Sequence, residues 1–512
     1  MLARVASEAL SGLQGRPVMV EADVVAAAPA FSVVGLPDAS VQESRERVRA
    51  AIVNSSFDFP SRRITINLAP ADLRKEGPSF DLPIALAFLL ATGQVRDGSD
   101  GRGPLAAVGE LGLDGGLRPV AGALAVAQSL RSRGVRGLVL PAGNAAEAAL
   151  VPGLEVYAAS SLAEAVAQIE AGGREAAPPA DLDALLAAAP PGDADFSDIV
   201  GQEGVKRALE IAVAGAHNVL MTGPPGAGKT MLARRLPGIM PPLTRDEAIE
   251  ITRIHSVAGL LAPGEPLVVR RPFRAPHHTI SSPGLVGGGG TPRPGEVSLA
   301  HLGVLFLDEF PEYRLSALEG LRQPLEDGEV TISRRLTAVT YPARLMLVAA
   351  MNPCPCGFAG DKERECSCMG SRLQQYRSRL SGPLLDRIDL RLDVPRVPPR
   401  ARRDKRPSES SAVIRDRVVA ARRRQLARLA GTGAYANAHM TTRQLRRFCG
   451  LDAAATRKLD QAYDRMRLSA RAADRVVKVA RTIADLDGAE AISAAHLAES
   501  LNYRDREGEP VG

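Results

Sequence analysis

Hydrophobic and polar positions follow two periods along this chain, and the changes of period divide it. Up to residue 170, short alternating runs at 18–24 and 64–68 read as strands. The stretches 40–53 and 82–90 read as helices. The mixture predicts an α+β domain over residues 1–170, with helices on a mixed sheet. Residues 171–195 break the pattern: Pro-, Gly- and Ala-rich stretches surround one short helical segment at 181–189, the composition of a linker. An α/β segment is expected over 196–400. In it a helix at 203–214 precedes an apolar strand at 218–221, and further apolar runs at 303–307 and 345–351 read as buried strands. Alternation over 329–333 and 336–341, on both sides of Arg334 and Arg335, predicts a hairpin with a basic tip. Beyond the prolines at 395–399 and 407 the pattern turns helical. Helices are expected at 412–429, 442–448, 453–466, 469–486 and 491–501, in a helical domain over 401–512.

The chemistry gathers where the 218–221 strand ends. Gly223-Pro224-Pro225-Gly226-Ala227-Gly228-Lys229-Thr230 lies between that strand and a helix-favouring run at 231–236. Strand, glycine-rich turn and helix form the context of a phosphate-binding P-loop. Backbone N–H groups and the positive end of the helix face the phosphate oxygens there. Lys229 is expected to reach the β- and γ-phosphates of ATP, and Thr230 to hold Mg2+. The 303–307 strand ends in Asp308 and Glu309, expected to bind the Mg2+ and to deprotonate the attacking water. The 345–351 strand ends in Asn352, suited to orient that water near the γ-phosphate.

Four of the five cysteines, Cys354, Cys356, Cys366 and Cys368, crowd into one loop, and the polar stretch 360–365 between them cannot form a core. Such clustering favours a four-thiolate site for Zn2+ over disulfides. Cys449 reads as a core residue. His277 and His278 have no Cys or carboxylate at ligand spacing beside them and read as structural.

The chain has 512 residues, of which 45% are hydrophobic and 24% charged, an ordinary balance for a soluble multi-domain protein. No apolar run approaches a membrane span, and Glu8 interrupts the N-terminus before any apolar core develops. A cytoplasmic protein with no membrane partner is therefore expected. The net charge of +6 is unevenly placed: from Arg396 to Arg428, twelve Lys and Arg face three acidic residues. A solvated helical face or linker and a nucleic-acid-facing surface both fit that segment.

In this order the elements resemble the AAA+ ATPases. Arg271-Pro272-Phe273-Arg274-Ala275-Pro276-His277-His278-Thr279-Ile280-Ser281 and Pro294-Gly295-Glu296-Val297-Ser298-Leu299-Ala300-His301 narrow the likeness. They resemble the Mg-chelatase-like branch, and within it the ComM/YifB-like proteins, which carry an N-terminal Lon-like domain. The first domain agrees. Glu76-Gly77-Pro78-Ser79-Phe80-Asp81-Leu82-Pro83, Gly109-Glu110-Leu111 and Leu117-Arg118-Pro119-Val120-Ala121-Gly122 resemble the proteolytic domain of Lon-type proteases. That family has a ribosomal-S5-like fold and a Ser–Lys dyad. Ser79 stands where the nucleophile would be, but the lysine's place holds Ala123-Leu124-Ala125-Val126. No lysine occurs between Lys75 and Lys206, so peptidase activity is not expected. Assembly, docking or partner binding is expected of the domain instead.

The resemblance implies an α/β fold class: a ribosomal-S5/Lon-like α+β domain, an AAA+ P-loop core carrying the cysteine loop at 354–368, and a C-terminal helical lid. It implies that Arg387 is an arginine finger reaching a neighbour's γ-phosphate, a local ion pair with Asp386 or Asp389 being the alternative. It also implies that Arg471 is the sensor-2 residue contacting nucleotide, with Arg475 and Arg481 on the same helix as further candidates. The segment holding Gly287, Gly288, Gly289 and Gly290 and the hairpin tip would face the pore of a homo-hexameric ring, where Arg334 and Arg335 would grip a phosphate backbone. The implied activity is ATP-driven movement on single-stranded or branched DNA. More narrowly, it is a branch-migration helicase of homologous recombination in natural transformation, with recombination proteins as partners. A magnesium-chelatase ATPase subunit driving metal insertion and an AAA+ protein remodeller stay open beside it.

Overall fold

The computed structural model describes residues 2–98, 101, 103–188, 194–262, 264–289, 292–333, 338–361, 364–397 and 408–504. The chain forms two compact units. One comprises Met1–Ala189 with Thr244–Val269, the other Pro190–Leu243 with Arg270–Gly512.

The first unit is built on a seven-stranded sheet in the order Ala30–Val34, Arg63–Ala69, Gln14–Val25, Leu2–Ser11, Leu105–Ala107, Gly137–Pro141, Glu155–Ala159. Its centre is the antiparallel hairpin of Leu2–Ser11 and Gln14–Val25, and the last three strands of that order run parallel to Leu2–Ser11. Alternation in the sequence sends Ile64, Ile66 and Leu68 into the core. The helix Asp81–Thr92 is apolar nearly all round and correspondingly buried. Its one buried charge, Asp81, sits in the first turn and accepts from Ser44, from Arg47 at 2.7 Å and from the Leu111 N–H at 3.3 Å. Ala123, Leu124, Ala125 and Val126, at the position of the absent lysine, are buried in the first turn of the helix Ala123–Ser132. Lys75 is fully buried and donates its ammonium to the Pro70 carbonyl.

A helix absent from the pattern reading, Arg245–Val257, also belongs to this unit. It starts in a reciprocal cap between Thr244 and Glu247, and its Ser256 carbonyl accepts from the Gly122 N–H at 3.1 Å. Arg245 pairs with Asp183 on the short helix Leu182–Ala187. Residues 171–188, expected as a linker, and 244–269, expected inside the motor segment, thus both take part in the first unit.

The second unit carries a parallel five-stranded sheet in the order Phe273–Arg274, Val304–Leu307, Met346–Met351, Val219–Thr222, Leu390–Asp393. Both faces are covered, which is why its strands read as unbroken apolar runs. Val304 and Phe306 enter the core shared with Glu203–Gly215, Lys229–Ile239, Ser411–Arg428 and Ala470–Leu486. Leu305 and Leu307 point into the opposite core with Leu285, Phe310 and Tyr313. The C-terminal helices Thr442–Phe448, Ala453–Met466 and Ala494–Leu501 close around a third core with Ala470–Leu486, and Cys449 is buried in it.

The strands Glu329–Ser333 and Ala338–Pro342 pair antiparallel up to Ser333 opposite Ala338. Arg334, Arg335 and Gly290 lie outside the described residues. In the basic segment, Arg417 is bound to Glu210 at 2.6 Å and to Glu409 at 2.8 Å, and Arg428 pairs with Asp485 at 2.5 Å. Arg422 and Arg424 each donate at 2.8 Å, to the Val213 and Asp485 carbonyls. These four arginines fasten the helix Ser411–Arg428 to its own unit, an intramolecular use that neither reading of the segment anticipates. Among the described residues, no helix is long and apolar enough to cross a membrane.

Candidate active site

The parallel strands Val219–Thr222, Val304–Leu307 and Met346–Met351 end on the same edge of the sheet, and their following residues converge there. The Lys229 ammonium donates to the Gly223 carbonyl at 2.6 Å, the Pro224 carbonyl at 3.1 Å and Asn352 Oδ1 at 3.1 Å. A phosphate group would supply acceptors in place of these. Burial pulls the Lys229 ammonium below the ordinary lysine value, with Asp308 opposing. Thr230 Oγ1 donates to Asp308 Oδ2 at 2.6 Å, so the two oxygens expected to share Mg2+ already meet. Gly223 is required by packing, because a Cβ there would come 2.3 Å from the Val394 carbonyl oxygen. Gln202, which no motif marks, donates to the Ala227 carbonyl at 2.9 Å and the Pro395 carbonyl at 2.8 Å, fixing the loop from outside.

Glu309 follows Asp308 with a positive φ of 51°, a conformation that costs a non-glycine residue about 1–2 kcal/mol. Its N–H donates to Asp308 Oδ1 at 2.9 Å. Its carboxylate stands 3.1 Å from His278 Nδ1, and His278 is the only side chain at ion-pair distance from it among the described residues. The His278 ring lies edge-on to buried Tyr313, whose hydroxyl donates to the Pro276 carbonyl at 2.5 Å. Burial, with Asp308 and Glu309 adding to it, raises the Tyr313 phenol above its usual value, so it remains a donor. The structural reading of the histidine pair thus has a specific content. His277 bonds to Thr279, and His278 faces the proposed base.

Arg387 and Arg471 are not part of this convergence. They line one pocket with Asp389, Arg475 and Lys478, and no P-loop residue, Asp308, Glu309 or Asn352 lines it. Arg387 pairs with Glu326 rather than with Asp386 or Asp389, and also donates to the Pro383 carbonyl at 2.7 Å. The Arg387 carbonyl accepts from Asn218 at 2.9 Å, one residue before the P-loop strand. Arg471 is exposed. Arg475 lies 3.5 Å from Asp389, and Arg481 is buried, donating to the Ala489 and Glu490 carbonyls at 2.5 and 2.6 Å. Arg481 therefore serves the helical domain and not a nucleotide.

Cys354, Cys356, Cys366 and Cys368 come together with all four sulfurs within 4.8 Å of one another. The sulfur separations of 3.3 Å for Cys354–Cys356 and 3.6 Å for Cys354–Cys366 and Cys356–Cys366 are too long for disulfides. They approach the roughly 3.8 Å edge that a tetrahedral zinc–sulfur site requires.

Three family models match the chain. One described as subunit ChlI of Mg-chelatase matches residues 20–144, one described as magnesium chelatase, subunit ChlI, matches 195–402, and its C-terminal counterpart matches 408–504. The chain is 44% identical over 508 residues to the YifB protein of Salmonella typhimurium, covering 98% of this chain and 97% of that protein. It is 43% identical over 509 residues to competence protein ComM of Haemophilus influenzae, with the same coverage of 98% and 97%. A shorter stretch of 147 residues is 33% identical to Lon protease 2 of Bacillus subtilis, spanning 26% of each chain.

Proposed function

The chain belongs to the Mg-chelatase-like family of AAA+ ATPases that includes YifB and ComM, and from that premise we propose that it is a ring-forming ATP-driven DNA motor. The observation that carries the ring is the separation of Arg387 and Arg471 from the subunit's own P-loop, with both lining one pocket elsewhere. A γ-phosphate bound beside Lys229 would need permanent cations to spread its charge in the transition state, and the arginine pair of a neighbouring subunit would supply them. In each site Thr230 and Asp308 would hold Mg2+, which would neutralise phosphate charge, while Glu309 would take the proton of the attacking water and Asn352 would orient that water. The likeness to ComM along the whole chain supports DNA as the track and branch migration during uptake of transforming DNA as the use, in the cytoplasm. The buried alanine-rich turn at 123–126 supports a non-proteolytic role for the first unit.

The test is the ATPase rate of the purified protein with single-stranded, forked and four-way DNA, against protein substrates and a metalloporphyrin precursor. Stimulation by branched DNA with strand displacement is the expected result. A metal-insertion motor, which the description of the matched family model favours, would respond to the porphyrin alone.

A further inference from the structure

The four cysteines are tied to the nucleotide site by both ends of one short turn. Asn352, which accepts from Lys229 at 3.1 Å, is followed two residues later by buried Cys354. The Asn352 carbonyl is held in turn by the Tyr376 hydroxyl at 3.2 Å. From Cys354 the chain turns back: the Gly357 N–H donates to the Cys354 carbonyl at 3.0 Å. At Gly357 the backbone lies directly against Pro225 of the P-loop. A Cβ at Gly357 would come 2.5 Å from Pro225 Cδ, and φ there is +86°, so only glycine fits.

The sulfurs that fold this turn are hydrogen-bonded as metal thiolates are. The Ala359 N–H donates to Cys354 Sγ at 3.2 Å and the Cys356 N–H to Cys368 Sγ at 3.4 Å. Two cations, Arg364 and Arg396, lie over the Phe358 ring at 5.3 and 5.4 Å, closing the turn from outside. Apart from Cys354 the loop buries little that could hold its shape, since Cys366 is exposed and Cys356 and Cys368 are only half-buried.

We propose that Cys354, Cys356, Cys366 and Cys368 ligate one zinc ion, and that this ion braces the P-loop by pressing the turn at Gly357 against Pro225 while anchoring Asn352 beside Lys229. The site is structural: four thiolates complete the tetrahedron and leave no position for substrate. It rests on the reading of 223–230 as the ATP site, and goes beyond it by making nucleotide affinity depend on a metal that never touches nucleotide.

The full-length protein is purified without added metal and its zinc measured by elemental analysis, with about one ion per chain expected. Replacement by Cd2+ should give the ultraviolet thiolate-to-cadmium charge-transfer band of four sulfur ligands. Zinc is then removed with a thiol-reactive reagent and chelator, both are washed out with reductant, Mg2+ is restored, and binding of a fluorescent ATP analogue is titrated. The stripped protein should bind at least about tenfold more weakly, because the P-loop is no longer preorganised, and added zinc should restore the affinity. Gly357→Ala gives a second route that leaves every cysteine in place: zinc content should stay whole while nucleotide affinity falls. Absence of zinc, or stripped protein that binds the analogue as tightly as before, overturns the proposal. Failure of the underlying site would look different, since Lys229→Ala would then keep its nucleotide affinity at every zinc level.

Discussion

Single side chains set the chemistry of the proposed site. Lys229→Ala removes the ammonium that reaches the Gly223 carbonyl and Asn352, and nucleotide binding by the full-length protein should be lost in equilibrium titration. Glu309→Gln should bind ATP normally while kcat falls by roughly 10²–10⁴, the usual size of a general-base contribution. His278 is the less obvious residue. Its imidazole is the one side chain at ion-pair distance from the Glu309 carboxylate among the described residues, so it is the group that orients the base. His278→Ala should lower kcat by about ten- to a hundredfold with KM for ATP unchanged, because a misplaced base costs the chemical step and not binding. His278→Gln, which keeps an N–H donor, should recover part of the loss. In a Glu309→Gln background His278→Ala should cost nothing further, since there is then no carboxylate base left to orient. An equal fall in the double variant would make His278 a packing residue instead.

At the scale of elements, the helix Arg245–Val257 shows how a segment late in the chain is held in the first unit. Its Ser256 hydroxyl donates to Glu147, which also accepts from the Leu124 N–H at 2.7 Å. Burial raises the Glu147 carboxyl above its usual 4.5, and the hydrogen bonds from Ser256, Leu124 and Asn144 offset this only in part. A raised carboxyl means the fold prefers the protonated form. Its contribution is complete below pH 4.5 and is lost as pH rises through the folded-state value. Amide protection of residues 245–257, corrected for intrinsic exchange, should therefore decline as pH rises above the ordinary carboxyl value of 4.5 in the natural protein. Glu147→Gln should flatten that decline while keeping an acceptor for Leu124. A second tie, inside the other unit, joins the motor sheet to the helical domain. Buried His217 lies 3.2 Å from Asp389 and 2.8 Å from Thr482, and Asp389 in turn faces Arg475. That tie holds the segment bearing Arg387 beside the helix bearing Arg471, which accounts for their common pocket.

For the whole molecule, the proposed ring makes the pocket of Arg387 and Arg471 the test of which subunits complement one another. Arg387→Ala protein should bind ATP as tightly as the natural protein and lose about 10³-fold or more in turnover. Mixed with Lys229→Ala subunits it should regain activity, because the Lys229→Ala chain still offers an intact arginine pair to its neighbour's P-loop. Mixing Arg387→Ala with Arg471→Ala subunits should restore nothing, since every interface then lacks one of the two cations. Recovery in that second mixture would assign Arg471 to the nucleotide of its own subunit. The DNA grip is tested separately. Arg334→Ala with Arg335→Ala should keep basal ATPase and weaken binding to single-stranded DNA. The log–log salt slope should become shallower by roughly 0.7 for each phosphate that the variant no longer neutralises.

What the sequence determined by itself is whatever is written in contiguous residues. The P-loop, the acidic end of the Val304–Leu307 strand and the amide after Met346–Met351 were legible because strand, turn and helix follow one another locally. The parallel sheet then brings Lys229, Thr230, Asp308 and Asn352 together. The covered faces of that sheet and the helical C-terminal part were legible from periodicity for the same reason. Tertiary structure alone decided the rest. That Arg245–Val257 belongs to the first unit, where Ser256 meets the buried carboxylate of Glu147 about a hundred residues away, is carried by no local pattern. The pairing of Arg387 with Glu326, the bond between His278 and Glu309 and the approach of Gly357 to Pro225 likewise join residues distant in the chain. Spacing along a sequence reports which groups a backbone presents on one element. Which groups then meet is set by how elements pack, and burial makes those meetings selective by penalising every polar group left without a partner.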